Sequence, residues 1–211
     1  MHHYEYVSKK EAAPYKADLI ELINKVQDYV RDEFTFQFTF IGSSSRNMIT
    51  YDPTTNIGFD FDVNITVNDD DKNYSPEAIR TILGDAFSRF MAAYGYNKLE
   101  QSTRVITIKS VDFWRSRVNY SCDFAVVYEA SGRQQYVRFN KGRNYFSWEF
   151  QAQPYKDLEY RADCLKESGH WNEVLEVYLS KKNFNDNPDK RSRSLYAEAI
   201  NDCFIRYCRH E

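Results

Sequence analysis

The stretch Phe59-Asp60-Phe61-Asp62-Val63-Asn64-Ile65-Thr66-Val67 alternates apolar and polar residues without a break. Phe59, Phe61, Val63, Ile65 and Val67 share one parity, and Asp60, Asp62, Asn64 and Thr66 share the other. That is the period of a strand with one buried face. It places Asp60 and Asp62 on the same face, about 7 Å apart along the strand. Two carboxylates held so close repel each other. A hard divalent cation between them removes the repulsion, and Mg²⁺ is held by one or two carboxylates together with substrate phosphates. The same pair also suits the solvated side of an edge strand, so the flanking sequence has to decide.

Upstream, Phe34, Phe36, Phe38 and Phe40 alternate with Thr35, Gln37 and Thr39. These strong β-formers predict a strand over residues 34–41 that delivers the chain to Gly42-Ser43-Ser44-Ser45. A glycine lets the backbone turn sharply and approach a ligand. Backbone N–H groups of a turn that opens a short helix at Ser44 or Ser45 would cradle phosphate; an ordinary loop is the plainer alternative. Before this strand, Leu19, Ile23, Val26 and Val30 form one apolar stripe, which predicts a helix over residues 13–32 with Pro14 at its start. Residues 51–56 are turn-rich and are expected at the surface.

Downstream, residues 68–73 form an acidic loop, either a cation contact or, the plainer reading, a solvated turn. Ser75 and Pro76 then open a helix as cap and first residue. Its face of Ile79, Ile82, Leu83, Ala86, Phe87, Phe90, Met91 and Tyr94 is core, and Gly95 closes it. Residues 104–109 alternate as a strand. Over residues 118–128, Val118, Tyr120, Cys122, Phe124 and Val126 share one parity, with Asn119, Ser121 and Asp123 on the other. Asp123 is therefore a third carboxylate on a polar strand face. A hairpin at Gly132 leads to strands at 135–139 and 145–150. The basic turn between them, Lys141-Gly142-Arg143-Asn144, is either a phosphate contact or a solvated hairpin tip. Beyond Pro154 three apolar stripes, around Leu165, Val174 and Ala199, predict three helices that pack on one another and on the sheet domain. His170 and His210 read as isolated surface residues.

The 211 residues are enough for one domain with a core, or a core plus an appendage. A formal charge of −3 argues against a basic nucleic-acid sleeve. No apolar run is long enough for a transmembrane helix, and Met1-His2-His3-Tyr4-Glu5 lacks the pattern of a signal peptide. Cys122, Cys164, Cys203 and Cys208 show neither a C-x-x-C pair nor zinc spacing, and are expected to be reduced thiols in a cytoplasmic protein.

Strand, Gly42-Ser43, linker, strand with Asp60-x-Asp62, helix, and later strand with Asp123 together resemble the DNA polymerase β-type nucleotidyltransferase superfamily, over residues 13–150. The resemblance implies an α+β fold, a mixed sheet flanked by helices, in residues 1–152, with a C-terminal helical subdomain in residues 153–211. It implies that Gly42, Ser43 and Ser44 hold the triphosphate of a nucleoside triphosphate such as ATP. It implies that Asp60, Asp62 and Asp123 bind Mg²⁺, or Mn²⁺ in its place, and are the catalytic acids. The activity implied is transfer of a nucleoside monophosphate from an NTP to a hydroxyl acceptor by a two-metal mechanism. The acceptor is not readable: a small molecule, an RNA end, a protein and another nucleotide all occur in the superfamily. Sixteen residues separate Ser43 from Asp60, longer than the superfamily commonly shows. Lys109, Arg115, Arg117, Lys141 and Arg143 are available for phosphate contacts. The alternatives are an inactive nucleotidyltransferase-fold module that binds a nucleotide or a partner, and an unrelated α+β interaction protein that docks a partner through its C-terminal helices.

Overall fold

In the computed structural model, which describes residues 2–56, 58–69, 71–130, 132–152 and 155–208, two strands lie side by side in parallel at the centre. They are β4 (Phe59–Asn68) and β7 (Arg117–Ala130). On the far side of β4 runs β2 (Thr35–Ile41), antiparallel. On the far side of β7 run β6 (Val105–Asp112) and then β5 (Lys98–Gln101), both in antiparallel pairs. The last part of β7 pairs instead with β8 (Arg133–Asn140), which pairs with β9 (Tyr145–Phe150). Among the described residues this makes a mixed sheet of seven strands.

One face of the sheet is apolar and carries two helices. α1 (Lys9–Val30) buries Leu19, Leu22, Ile23, Val26 and Val30, and α3 (Pro76–Phe90) buries Ile79, Leu83, Ala86 and Phe87. They cover Phe61, Val63, Ile65 and Val67 of β4, Ile106 and Ile108 of β6, and Cys122, Phe124 and Val126 of β7. Each buried Val, Leu, Ile or Phe among them contributes about 1.5–3 kcal/mol by leaving water. The opposite parity, with Asp60, Asp62 and Asp123, therefore belongs to the sheet's other face. The expected α+β architecture, a mixed sheet flanked by helices, is what the chain forms.

Several local readings need correction. α1 begins at Lys9 rather than at residue 13, because Ser8 caps it: Ser8 Oγ accepts from Glu11 N, and Glu11 Oε2 accepts from Ser8 N. Pro14 thus lies inside the helix, where it removes one backbone donor. α3 is capped by Ser75 as expected, but it runs into a 3₁₀ turn, Met91–Tyr94, before Gly95 ends it at φ +81°. It also buries Arg80, a cation on an apolar stripe; Nη2 donates to the carbonyls of Ser102 and Val105 at 2.9 and 2.8 Å. The 68–73 loop is not wholly solvated: Asp69 is buried and accepts from the backbone N–H groups of Asn73 and Tyr74. Asp70 lies outside the described residues.

The chain divides into two units. The sheet unit consists of residues 6–51 and 56–151, and includes the four-residue helix α2 (Gly42–Ser45). The other unit contains residues 152–211 together with 1–5 and 52–55. It holds α4 (Leu158–Glu167), α5 (Trp171–Asn183) and α6 (Ser192–Tyr207), which pack through Ala162, Leu165, Val174, Tyr178, Leu195, Ala199 and Ile200. The expected surface loop at 51–56 is only partly exposed. Asp52 is fully buried, with its carboxylate accepting from Thr54 N, Thr54 Oγ1 and His3 N. Tyr4 N donates to Asn183 Oδ1, and Asn183 Nδ2 donates to Tyr4 O. His170 is not isolated; its ring stacks on Tyr207 at 4.1 Å. His210 lies outside the described residues. Two strands of two residues, β1 (Glu5–Tyr6) and β3 (Thr50–Tyr51), have no signal in the sequence. All four cysteines are free. Among the described residues, no helix is long and apolar enough to cross a membrane.

Candidate active site

The polar face of the sheet is a grid set by strand register. Asp62 of β4 lies beside Asp123 of β7, which lies beside Thr107 of β6, which lies beside Glu100 of β5. One level along, the row reads Asp60, Ser121, Lys109, Lys98. Side chains in such rows are direct neighbours. One carboxylate oxygen from each of Asp60, Asp62 and Asp123 lies within 4.8 Å of the other two. The sequence thus names three acids from distant positions that the fold brings to one point.

Hydroxyl groups on neighbouring strands hold two of the three. Ser121 Oγ donates to Asp60 Oδ1 at 2.7 Å, and Thr107 Oγ1 donates to Asp123 Oδ1 at 2.6 Å. Burial, then the negative charges of Asp123 and Asp62, push the Asp60 carboxyl up to about 7 against the Ser121 bond and the Lys109 charge. Burial also raises Asp123, with the Thr107 bond and Lys109 opposing it. Beneath them burial raises the Cys122 thiol, and the three carboxylates add to it. Three half-buried carboxylates, two of them held against ionising, fit a divalent cation by the chemistry of the donor set. Lys109 sits at the level of Asp60, but its Nζ is held at 2.6 Å by Glu100, which Lys98 also contacts at 2.7 Å. Those two lysines keep the Glu100 carboxyl at about 2.

The glycine turn adjoins this cluster. Ile41, the last residue of β2, pairs with Asp62, so Gly42 leaves the sheet beside that acid. Gly42 has φ +64°, and a Cβ there would stand 2.5 Å from Asp62 Oδ2. Both the left-handed backbone and the close approach demand glycine. α2 starts at Gly42 itself, earlier than the expected Ser44 or Ser45. Ser44 is buried, and its hydroxyl donates to Ile41 O at 2.7 Å, so it fastens the turn to the strand. Ser45 Oγ donates to Gly42 O. Ser43 is partly exposed at the turn. Among the other basic candidates, Arg115, Lys141 and Arg143 are exposed at hairpin turns, and Arg117 opens β7.

Thr107, Ser121 and Glu100 were without an assigned role in the sequence. Ser121 shares parity with Asp123 and could have been found by asking what lies two residues away on the same face. Thr107 and Glu100 become visible only with register.

No protein-family model matches the chain, and no curated protein matches it. Solved structures do. The cyclic AMP-GMP synthase DncV of Vibrio cholerae, in complex with the linear intermediate pppA(3′,5′)pG, superposes with a TM-score of 0.58 at 16% identity, over 89% of this chain and 52% of that one. DncV of Escherichia coli, in its 3′-deoxy GTP bound form, gives 0.57 at 17% identity, over 93% and 53%. CdnC of E. coli MS115-1 with ATP gives 0.51 at 15% identity, over 93% and 62%. The chain spans 52–62% of the length of these structures. The chain shares the nucleotidyltransferase fold of these structures.

Proposed function

We propose that the chain is a divalent-metal-dependent nucleotidyltransferase, with Asp60, Asp62 and Asp123 as the metal-holding acids and the Gly42-Ser43 turn as the triphosphate grip. The observation that carries this reading is the convergence of three carboxylates from β4 and β7 beside a turn that admits no side chain. Mg²⁺, or Mn²⁺ in its place, would supply charge neutralisation and a more acidic acceptor hydroxyl when bound. Asp60, Asp62 and Asp123 would orient that charge toward the α-phosphate. The backbone at Gly42 and Ser43 would receive the β- and γ-phosphates, and Ser44 would hold the turn against β2. Lys109 shares the row of Asp60, two strands away, and its charge is paired with Glu100.

A second nucleotide as acceptor agrees with the cyclic dinucleotide chemistry named for the Vibrio neighbour. Incubation with Mg²⁺ and labelled ATP, GTP, CTP and UTP, singly and in pairs, should release pyrophosphate and yield a 3′,5′-linked product. Asp60→Asn with Asp62→Asn should abolish turnover in a protein that still folds. Nucleotide binding without turnover in the unaltered chain would leave the inactive-module reading in its place.

A further inference from the structure

We infer that Ser121 and Thr107 are positioning residues that set the denticity of the metal site, and so its choice of small octahedral cations over Ca²⁺. The inference rests on the metal-centre reading above and extends it to which ion the site takes.

The structure places one hydroxyl donor against one oxygen of each of two carboxylates. Ser121 Oγ lies on Asp60 Oδ1 at 2.7 Å, and Thr107 Oγ1 lies on Asp123 Oδ1 at 2.6 Å. Both donors come from the strand next to the acid they serve, at the same level of the ladder, so backbone register fixes them. Thr107 has a β-branched side chain with a restricted χ1, and it is buried. Among the described residues, no hydrogen bond engages the second oxygen of Asp60 or of Asp123. An oxygen that accepts a short hydrogen bond is a poorer ligand than its free twin. Each of these carboxylates is therefore turned into a one-oxygen ligand.

Ion size makes that matter. Mg²⁺ and Mn²⁺ accept six monodentate oxygens in an octahedron, whereas Ca²⁺ takes six to eight and commonly uses carboxylates through both oxygens. With Asp60 and Asp123 each restricted to one oxygen, the triad under-supplies Ca²⁺ and suits the smaller ions. Removing either hydroxyl frees the second oxygen and relaxes the restriction. Outer groups of this kind typically change metal affinity by about 10–100-fold.

The test is Mn²⁺ binding followed by its electron paramagnetic resonance signal, with Ca²⁺ as competitor, on the unaltered protein, Ser121→Ala, Thr107→Val, and the hydroxyl-keeping Ser121→Thr and Thr107→Ser. The expected result is about 10-fold weaker Mn²⁺ binding in Ser121→Ala and Thr107→Val, with Ca²⁺ competing about 10-fold better. Ser121→Thr and Thr107→Ser should stay near the unaltered protein. Mn²⁺ bound equally well by all five proteins, with unchanged Ca²⁺ competition, would overturn the inference while leaving the metal centre standing. No Mn²⁺ bound by the unaltered protein would overturn the metal centre and this inference together.

Discussion

Asp60 binds its proton more tightly in the fold, at about 7, than in an open chain, at about 4. Its contribution to stability is therefore fully present below pH 4 and lost as pH rises through 7. Without divalent cation, the melting temperature of the unaltered protein should fall relative to that of Asp60→Asn between pH 5 and pH 8. Mg²⁺ should restore it at pH 8; parallel pH profiles for the two proteins would contradict the burial and crowding that raise Asp60. At Gly42 the expectation is steric. Gly42→Ala meets both a left-handed backbone and the Asp62 carboxylate. It should destabilise the fold by about 1–3 kcal/mol in urea, and weaken Mn²⁺ binding because Asp62 must move. The three acids, the glycine and their order are legible in the sequence because strand parity and a β-breaking turn are local signals. The hydroxyl of Thr107 is not, since its meaning comes from Asp123 on a neighbouring strand, and that of Ser121 shows only as a residue sharing the face of Asp123.

At the level of elements, long alternating runs identify β2, β4 and β7 correctly, and stripes identify α1, α3 and the three C-terminal helices. Short or polar elements escape. β5 is only Lys98-Leu99-Glu100-Gln101, with one apolar residue, and it exists because its backbone completes the ladder of β6. The start of α1 was in plain view as Ser8-Lys9-Lys10-Glu11, a reciprocal cap that outweighs the proline signal at Pro14. Ser8→Ala should lower stability by about 1 kcal/mol in urea denaturation, with Mn²⁺ affinity unchanged. Arg80 has no sequence signal either: an arginine on a helical stripe reads as solvent-facing until the carbonyls of Ser102 and Val105 are there to receive it.

At the scale of the whole molecule, the helical unit reaches beyond the last sixty residues and takes in short segments from the start and from residues 52–55. Asp52 secures one of those segments. Its burial raises its pKa, but bonds from Thr54, His3 and His2 outweigh that and lower it. It therefore adds stability that is present above pH 4 and lost as pH falls further. Asp52→Ala leaves the donors of Thr54 and His3 unanswered and should cost about 2 kcal/mol, measured by denaturation at pH 7. No composition rule places a buried carboxylate in a stretch rich in turn residues.

The parallel pairing of β4 with β7 sets a timetable. Parallel neighbours cannot be joined by a hairpin, and here the crossover includes α3, so Asp60 meets Ser121 across 61 positions of chain. The entropy of closing so long a loop makes such pairing slow. During refolding, capture of Mn²⁺ should lag behind the recovery of helical circular dichroism, so that the ion serves as a clock for the moment the crossover closes.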